Sequence, residues 1–113
     1  MNGVKSKSWE DALSFFESRF GGGLDVQSVI YLIGIQELGK GEQKLSKDEK
    51  LDIMHIAICK LLSFYGYYEF AGYDDEGWPH WNRIKKLPAI VPEEQEHFMK
   101  EAIVNYLQEE AYW

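Results

Sequence analysis

The chain has 113 residues, a formal net charge of −7, 45% hydrophobic and 15% aromatic residues. That size fits one domain with a core large enough to need neither disulfide nor metal, and so much apolar material excludes disorder throughout. The acidic balance excludes a general nucleic-acid binder, which needs clustered Lys and Arg, and no apolar run approaches the ~20 residues that span a bilayer.

Residues 1–7 read as a flexible N-terminus, with charges but no apolar stretch of signal-peptide length, so a cytoplasmic location is expected. A single helical domain then occupies residues 8–113. Its first helix is predicted from about Trp9 to Phe20. Ser8 caps it, and Glu10 and Asp11 lie in the first turn, where the helix dipole favours acid. Trp9, Leu13, Phe16 and Phe20 recur on one helical face, and Gly21, Gly22 and Gly23 stop the helix. This glycine run precedes a second helix, but it lacks the phosphate-binding loop pattern, and the cap Asp25 would repel an anion.

The second helix runs from the cap Asp25 to near Leu38, with Gly39 beyond it. Val26, Val29, Ile30, Leu32, Ile33 and Ile35 surround most of its circumference, which places it inside the fold. Ser46 and Glu49 form a capping box at the start of the third helix. That helix continues through Leu51, Met54, Ile58, Leu61, Leu62 and Tyr65 to Gly66, and its wide apolar arc makes it central too. Asp52, His55 and Cys59 share a stripe on it. This spacing invites a transition-metal site or a Cys–His dyad, but a fourth ligand is missing and Cys59 is far from a helix N-terminus that would activate it. A buried Cys59 bonded by His55 is the plainer expectation. As the single cysteine, it excludes an internal disulfide or a multi-thiolate zinc site.

Tyr67 to Pro88 is the unusual segment. Tyr67, Tyr68, Phe70, Tyr73, Trp78 and Trp81 flank the acidic turn Asp74-Asp75-Glu76-Gly77, a pattern for a β-hairpin with a four-residue loop or for an ordered aromatic loop. Pro79 then falls on an edge or outside the paired register. The turn lacks the spaced oxygens of a calcium loop. These rings either cap the helical core or bind a sugar, a base, a proline-rich peptide or a protein partner. Arg83, Lys85 and Lys86 form the one tight basic cluster, expected to pair with the turn or the last helix.

The fourth helix starts at Pro92, a residue suited to the first helical position. Phe98, Met99, Ala102, Ile103 and Tyr106 form its inner face. Glu93, His97 and Glu101 lie opposite, a solvated stripe rather than a metal site. From Pro92 onward there are six Glu and one Lys, a formal −5. Tyr112 and Trp113 end the chain with two rings whose placement the sequence leaves open.

LIGIQELGKG at Leu32–Gly41 and YYEFAGYDDEGWPHW at Tyr67–Trp81 resemble a family of small uncharacterised bacterial proteins, over most of the chain. The resemblance implies a bacterial cytosolic protein and carries over no activity, ligand or site residue.

The sequence thus predicts an all-α, compact four-helix domain with an aromatic hairpin or ordered loop between helices three and four. The leading functional expectation is a non-catalytic protein- or ligand-binding or regulatory module, with a protein partner or a homo-oligomer. No cofactor, metal, nucleic acid or membrane is expected. Tyr73, Trp78, His80 and Trp81 are the candidate contacts, with Arg83 as an orienting charge. The alternatives are a small metal-dependent or Cys/His hydrolase using His55, Cys59 or His80, and an acidic immunity-like inhibitor of a basic partner.

Overall fold

A computed structural model describes residues 7–39 and 44–113, so the N-terminus expected to be flexible lies, apart from Lys7, outside the described residues. The elements in order are α1 (Trp9–Phe20), α2 (Val26–Leu38), α3 (Lys47–Ser63), β1 (Tyr68–Tyr73), β2 (Pro79–Arg83) and α4 (Pro92–Glu109). The body is helical, as expected. The class all-α needs correcting to mostly helical, because the aromatic segment forms a two-stranded antiparallel sheet.

Side chains begin three of the helices. Ser8 and Asp11 form a reciprocal capping box, and so do Ser46 and Glu49. Asp25 accepts from the Ser28 amide at 2.9 Å. Each carboxylate satisfies amides that the first helical turn leaves unpaired, and these bonds hold the carboxyls of Asp11, Asp25 and Glu49 below their ordinary range. α4 starts with Pro92 at its first position and no side-chain cap. α3 and α4 end alike: Gly66 and Tyr67 amides bond back to Ser63 and Leu62, and Ala111 and Tyr112 amides to Gln108 and Leu107. This paired closure needs a left-handed residue. Gly66 supplies it at φ 82°, whereas Ala111 adopts φ 58° with a side chain in the way, at a cost of about 1 kcal/mol.

All four helices feed one core, from Ala12 and Phe16 through Val29, Ile33, Ala57 and Leu61 to Ile103, Tyr106 and Leu107. α2 and α3 are central to it, as their apolar circumference predicts. They approach most closely at Gly34, where a Cβ would lie 2.6 Å from Ile53 Cγ2 and would also strike the Ile53 carbonyl oxygen. Tyr106 is sealed in this core, and its hydroxyl donates to Glu37 Oε2 at 2.7 Å. Burial, with the neighbouring Glu37 carboxylate, pushes its phenol above the usual range.

Three apolar residues assigned to inner faces point outward; one of them, Tyr65, is 37% exposed and lies past Ser63, where α3 ends. Leu51 is 60% exposed. It lies two positions from the fully buried Ile53 and therefore on the other side of the helix. Phe20, at the last position of α1, is 54% exposed and stacks on Phe16. The C-terminal rings fold back: Tyr112 and Trp113 both meet Phe15 edge-on, with centroids 5.9 and 6.0 Å away. Among the described residues no helix is long and apolar enough to cross a membrane.

Candidate functional site

The hairpin follows directly from the end of α3 and packs back on that helix. Its register pairs Tyr68 with Arg83, Glu69 with Asn82, Phe70 with Trp81, Gly72 with His80 and Tyr73 with Pro79. Ala71 is the extra residue of a bulge, eased by Gly72 at φ 100°. In a regular strand Phe70 and Tyr73 would face opposite ways, since side chains alternate. The bulge absorbs one residue, so both rings share a face, 5.1 Å apart, and Phe70 meets Trp81 at 5.4 Å. Pro79 opens β2 inside the register, where its missing amide does no harm on a sheet that has only edges.

The connection between the strands is Asp74–Trp78, one residue longer than the sequence pattern suggests. Asp74 organises it. Its Oδ1 accepts from the amides of Glu76 at 2.9 Å and Trp78 at 3.0 Å, and its Oδ2 lies 2.9 Å from His80 Nε2. The His80 contact first, then the amides, hold the Asp74 carboxyl below its ordinary value. The backbone closes the same turn, with the Asp74 amide donating to the Trp78 carbonyl at 2.9 Å.

Between this turn and the first half of α3 lies a cleft of about 420 Å³. Glu49, Asp52, His55 and Ile56 line it from α3, at spacings that bring them to one helical stripe. Trp78, Pro79, His80 and Trp81 line it from the hairpin, with Asp74 and Glu76 of the turn. The apolar lining is the buried Ile56 and Pro79 and the half-buried indoles of Trp78 and Trp81. Around these stand four carboxylates and two imidazoles, and among the described residues no Lys or Arg lines the cleft. The Trp81 indole N–H is sealed from solvent without a partner among the described residues.

Of the residues singled out from the sequence, Asp52, His55, Trp78, His80 and Trp81 come together in this cleft, while Cys59 lies outside its lining. Tyr73 is 66% exposed and outside the cleft lining; with Phe70, Pro79, Trp81, Glu37 and Lys60 it lines a smaller hollow of about 240 Å³. Arg83 stands at the open end of the hairpin, opposite Tyr68 and outside the cleft lining. Lys85 Nζ sits 4.3 Å from the centre of the Tyr67 ring, so it packs on an aromatic face where the sequence suggests an ion pair with the turn or the last helix; the Asp74 carboxylate is occupied by His80 and the turn amides.

Cys59 is fully buried and its Sγ lies 3.4 Å from His55 Nε2, the packing that the plainer sequence expectation describes. Burial pushes its thiol up to about 11, so at neutral pH it is neither a nucleophile nor a ready metal ligand. Glu93, His97 and Glu101 form an exposed stripe on α4, with His97 Nε2 3.4 Å from Glu101 Oε1. Among the described residues no group of three His, Cys, Asp or Glu side chains converges to hold a metal ion.

The sequence marks Asp52 and His55 as one stripe of α3 but does not set them opposite the hairpin, and it gives Glu49 only a capping role and Ile56 none. The signal was a polar helical stripe just upstream of an aromatic hairpin that has to pack on something. Comparisons with protein-family models, with curated proteins and with solved structures find no match.

Proposed function

We propose that this chain is a non-catalytic binding module whose working surface is the cleft between α3 and the hairpin. The observation that carries this reading is the pair Trp78 and Trp81, half-buried in the lining of an open cleft rather than closed into the core. Half-buried indoles beside polar groups are the residues that most often anchor partners. A cleft of about 420 Å³ is within the range that takes a side chain or a small ligand.

A hydrolase is less well supported. Among the described residues the cleft lining holds no Ser, Thr, Cys, Tyr or Lys to act as a nucleophile, the Cys59 thiol is buried and protonated, and the Asp74–His80 pair is accounted for by the turn it closes. We place the protein in the bacterial cytoplasm as part of the same reading, following the sequence resemblance.

Selection from a displayed library of random peptides, with the whole chain as bait, tests the proposal. The expected outcome is a set of sequences that bind the native chain and are lost with Trp78→Ala, Trp81→Ala, while far-ultraviolet circular dichroism shows that the variant keeps its helices. Sequences that bind both forms equally would move the working surface elsewhere, and no enrichment would remove the peptide-binding reading.

A further inference from the structure

The chemistry of the cleft names the group it would hold. Within the proposed binding function, we infer that the partner is a basic protein segment that inserts an arginine side chain into the α3–hairpin cleft. Three features point to a planar cation. The lining combines Trp78 and Trp81 with Glu49, Asp52, Asp74 and Glu76 and the imidazoles of His55 and His80, and holds no Lys or Arg among the described residues. Indole faces attract a guanidinium through the ring quadrupole, and Arg stacks on them while forking its N–H groups toward carboxylates. The formal charge of −7 adds a long-range field that draws a basic segment toward the molecule.

The carboxylates have separate duties. Glu49 closes the α3 capping box, accepting from the Ser46 amide at 3.0 Å, and Asp74 organises the turn. Both keep their negative charge while doing so, and their burden in the fold fixes them at the cleft edge. Asp52 is exposed, one helical turn beyond Glu49, and forms no ion pair with a described residue. It is the carboxylate able to turn toward an incoming guanidinium. The chain already places cations on its other aromatic faces, Arg19 over Phe15 at 3.9 Å and Lys85 over Tyr67 at 4.3 Å. Among the described residues no such cation lies over Trp78 or Trp81.

The test is a titration of the isotope-labelled whole chain with N-acetyl-arginine methylamide, followed through the four indole N–H resonances. N-acetyl-citrulline methylamide, the same shape without the charge, is the control. The expected result is a saturable shift of Trp78 and Trp81 with Trp9 and Trp113 unmoved. Citrulline should bind at least about fivefold more weakly, and Asp52→Asn should weaken arginine about threefold, the size expected of an exposed ion pair. Asp52 carries no cap or turn bond, so this variant leaves the fold intact.

Equal binding of arginine and citrulline, or no shift with either, overturns the inference. Library peptides that depend on Trp78 and Trp81 but lack basic residues overturn it while leaving the binding function standing. Failure of both experiments removes the binding function as well.

Discussion

The two sides of α3 teach different lessons. Toward α2 its backbone touches backbone: Gly34 leaves no room for a single added carbon against Ile53, and the helices share a continuous apolar core. Toward the hairpin the same helix presents Glu49, Asp52 and His55, and a cleft of about 420 Å³ separates it from the turn. Of the hairpin's residues only Pro79 is buried. Ring contacts, a turn built on one carboxylate and ladder hydrogen bonds hold the rest. Stability therefore resides on one side of α3 and the candidate working surface on the other, so side chains of the hairpin can change without dismantling the core.

The strongest way to break that separation is Gly34→Ala. Ala is the better helix former by about 1 kcal/mol, so a gain would be expected if α2 were free. In the folded chain the new methyl meets the Ile53 carbonyl, which belongs to the helix backbone and cannot swing away. A net loss of about 3 kcal/mol is expected, at the upper end for overpacking, measured by urea unfolding. Because the hairpin rests on α3, its amides should lose hydrogen-exchange protection together with the helices. A loss below about 1 kcal/mol would mean that α2 and α3 separate easily, and the contrast between the two sides would weaken.

A good part of this was legible in the sequence. Caps at Ser8, Asp25 and Ser46, stops at Gly39 and Gly66, and the start at Pro92 are local signals, and all act where they stand. The central place of α2 followed from apolar residues around most of its circumference. What local signals miss is which neighbour a face meets. Gly34 sits inside a helix, where a glycine costs stability unless something needs the space, but the partner Ile53 is nineteen positions away in the chain. Leu51 matched an apolar pattern and still faces outward, because the arc drawn on α3 was wider than its neighbours cover. The bulge at Ala71, which brings Tyr73 to the Phe70 face, leaves no mark in an alternating pattern. Trp78, His80 and Trp81 could be named as a group from their nearness in sequence, but the α3 stripe opposite them required the fold.

A smaller change sharpens the core side of the comparison. Tyr106 is buried and its hydroxyl donates to Glu37 on α2. Tyr106→Phe keeps the ring and removes this bond, leaving a carboxylate oxygen without its donor. A loss of about 1.5 kcal/mol is expected, in the range of hydrogen bonds to charged groups, again by urea unfolding. The hairpin should be indifferent: the Trp78 and Trp81 indole resonances should not shift beyond their ordinary width. A shift there would show that α4 and the hairpin communicate through α3.

The smallest global effect and the most local one belongs to Asp74. Its carboxylate holds the amides of Glu76 and Trp78 and lies against His80, all within the turn and none in the core. Asp74→Ala should therefore lower the exchange protection of those two amides while the helices keep theirs and the unfolding midpoint hardly moves. Acid should act on the same spot in the native chain. A carboxyl held below its ordinary value stabilises the folded turn at any pH above the unfolded value of about 4, and that contribution fades as the pH falls through the lower folded value. The caps Asp11, Asp25 and Glu49 are lowered in the same direction, so acid erodes the helix starts as well and global stability alone would not single out the turn. The comparison that does is protection at Glu76 and Trp78 against pH. In the native chain it should fall below about pH 4, and in Asp74→Ala it should be low already and nearly flat. An equal acid response in both chains would assign the turn's stability to the Phe70, Tyr73 and Trp81 rings instead, and Trp81 would then both hold the candidate surface and work in it.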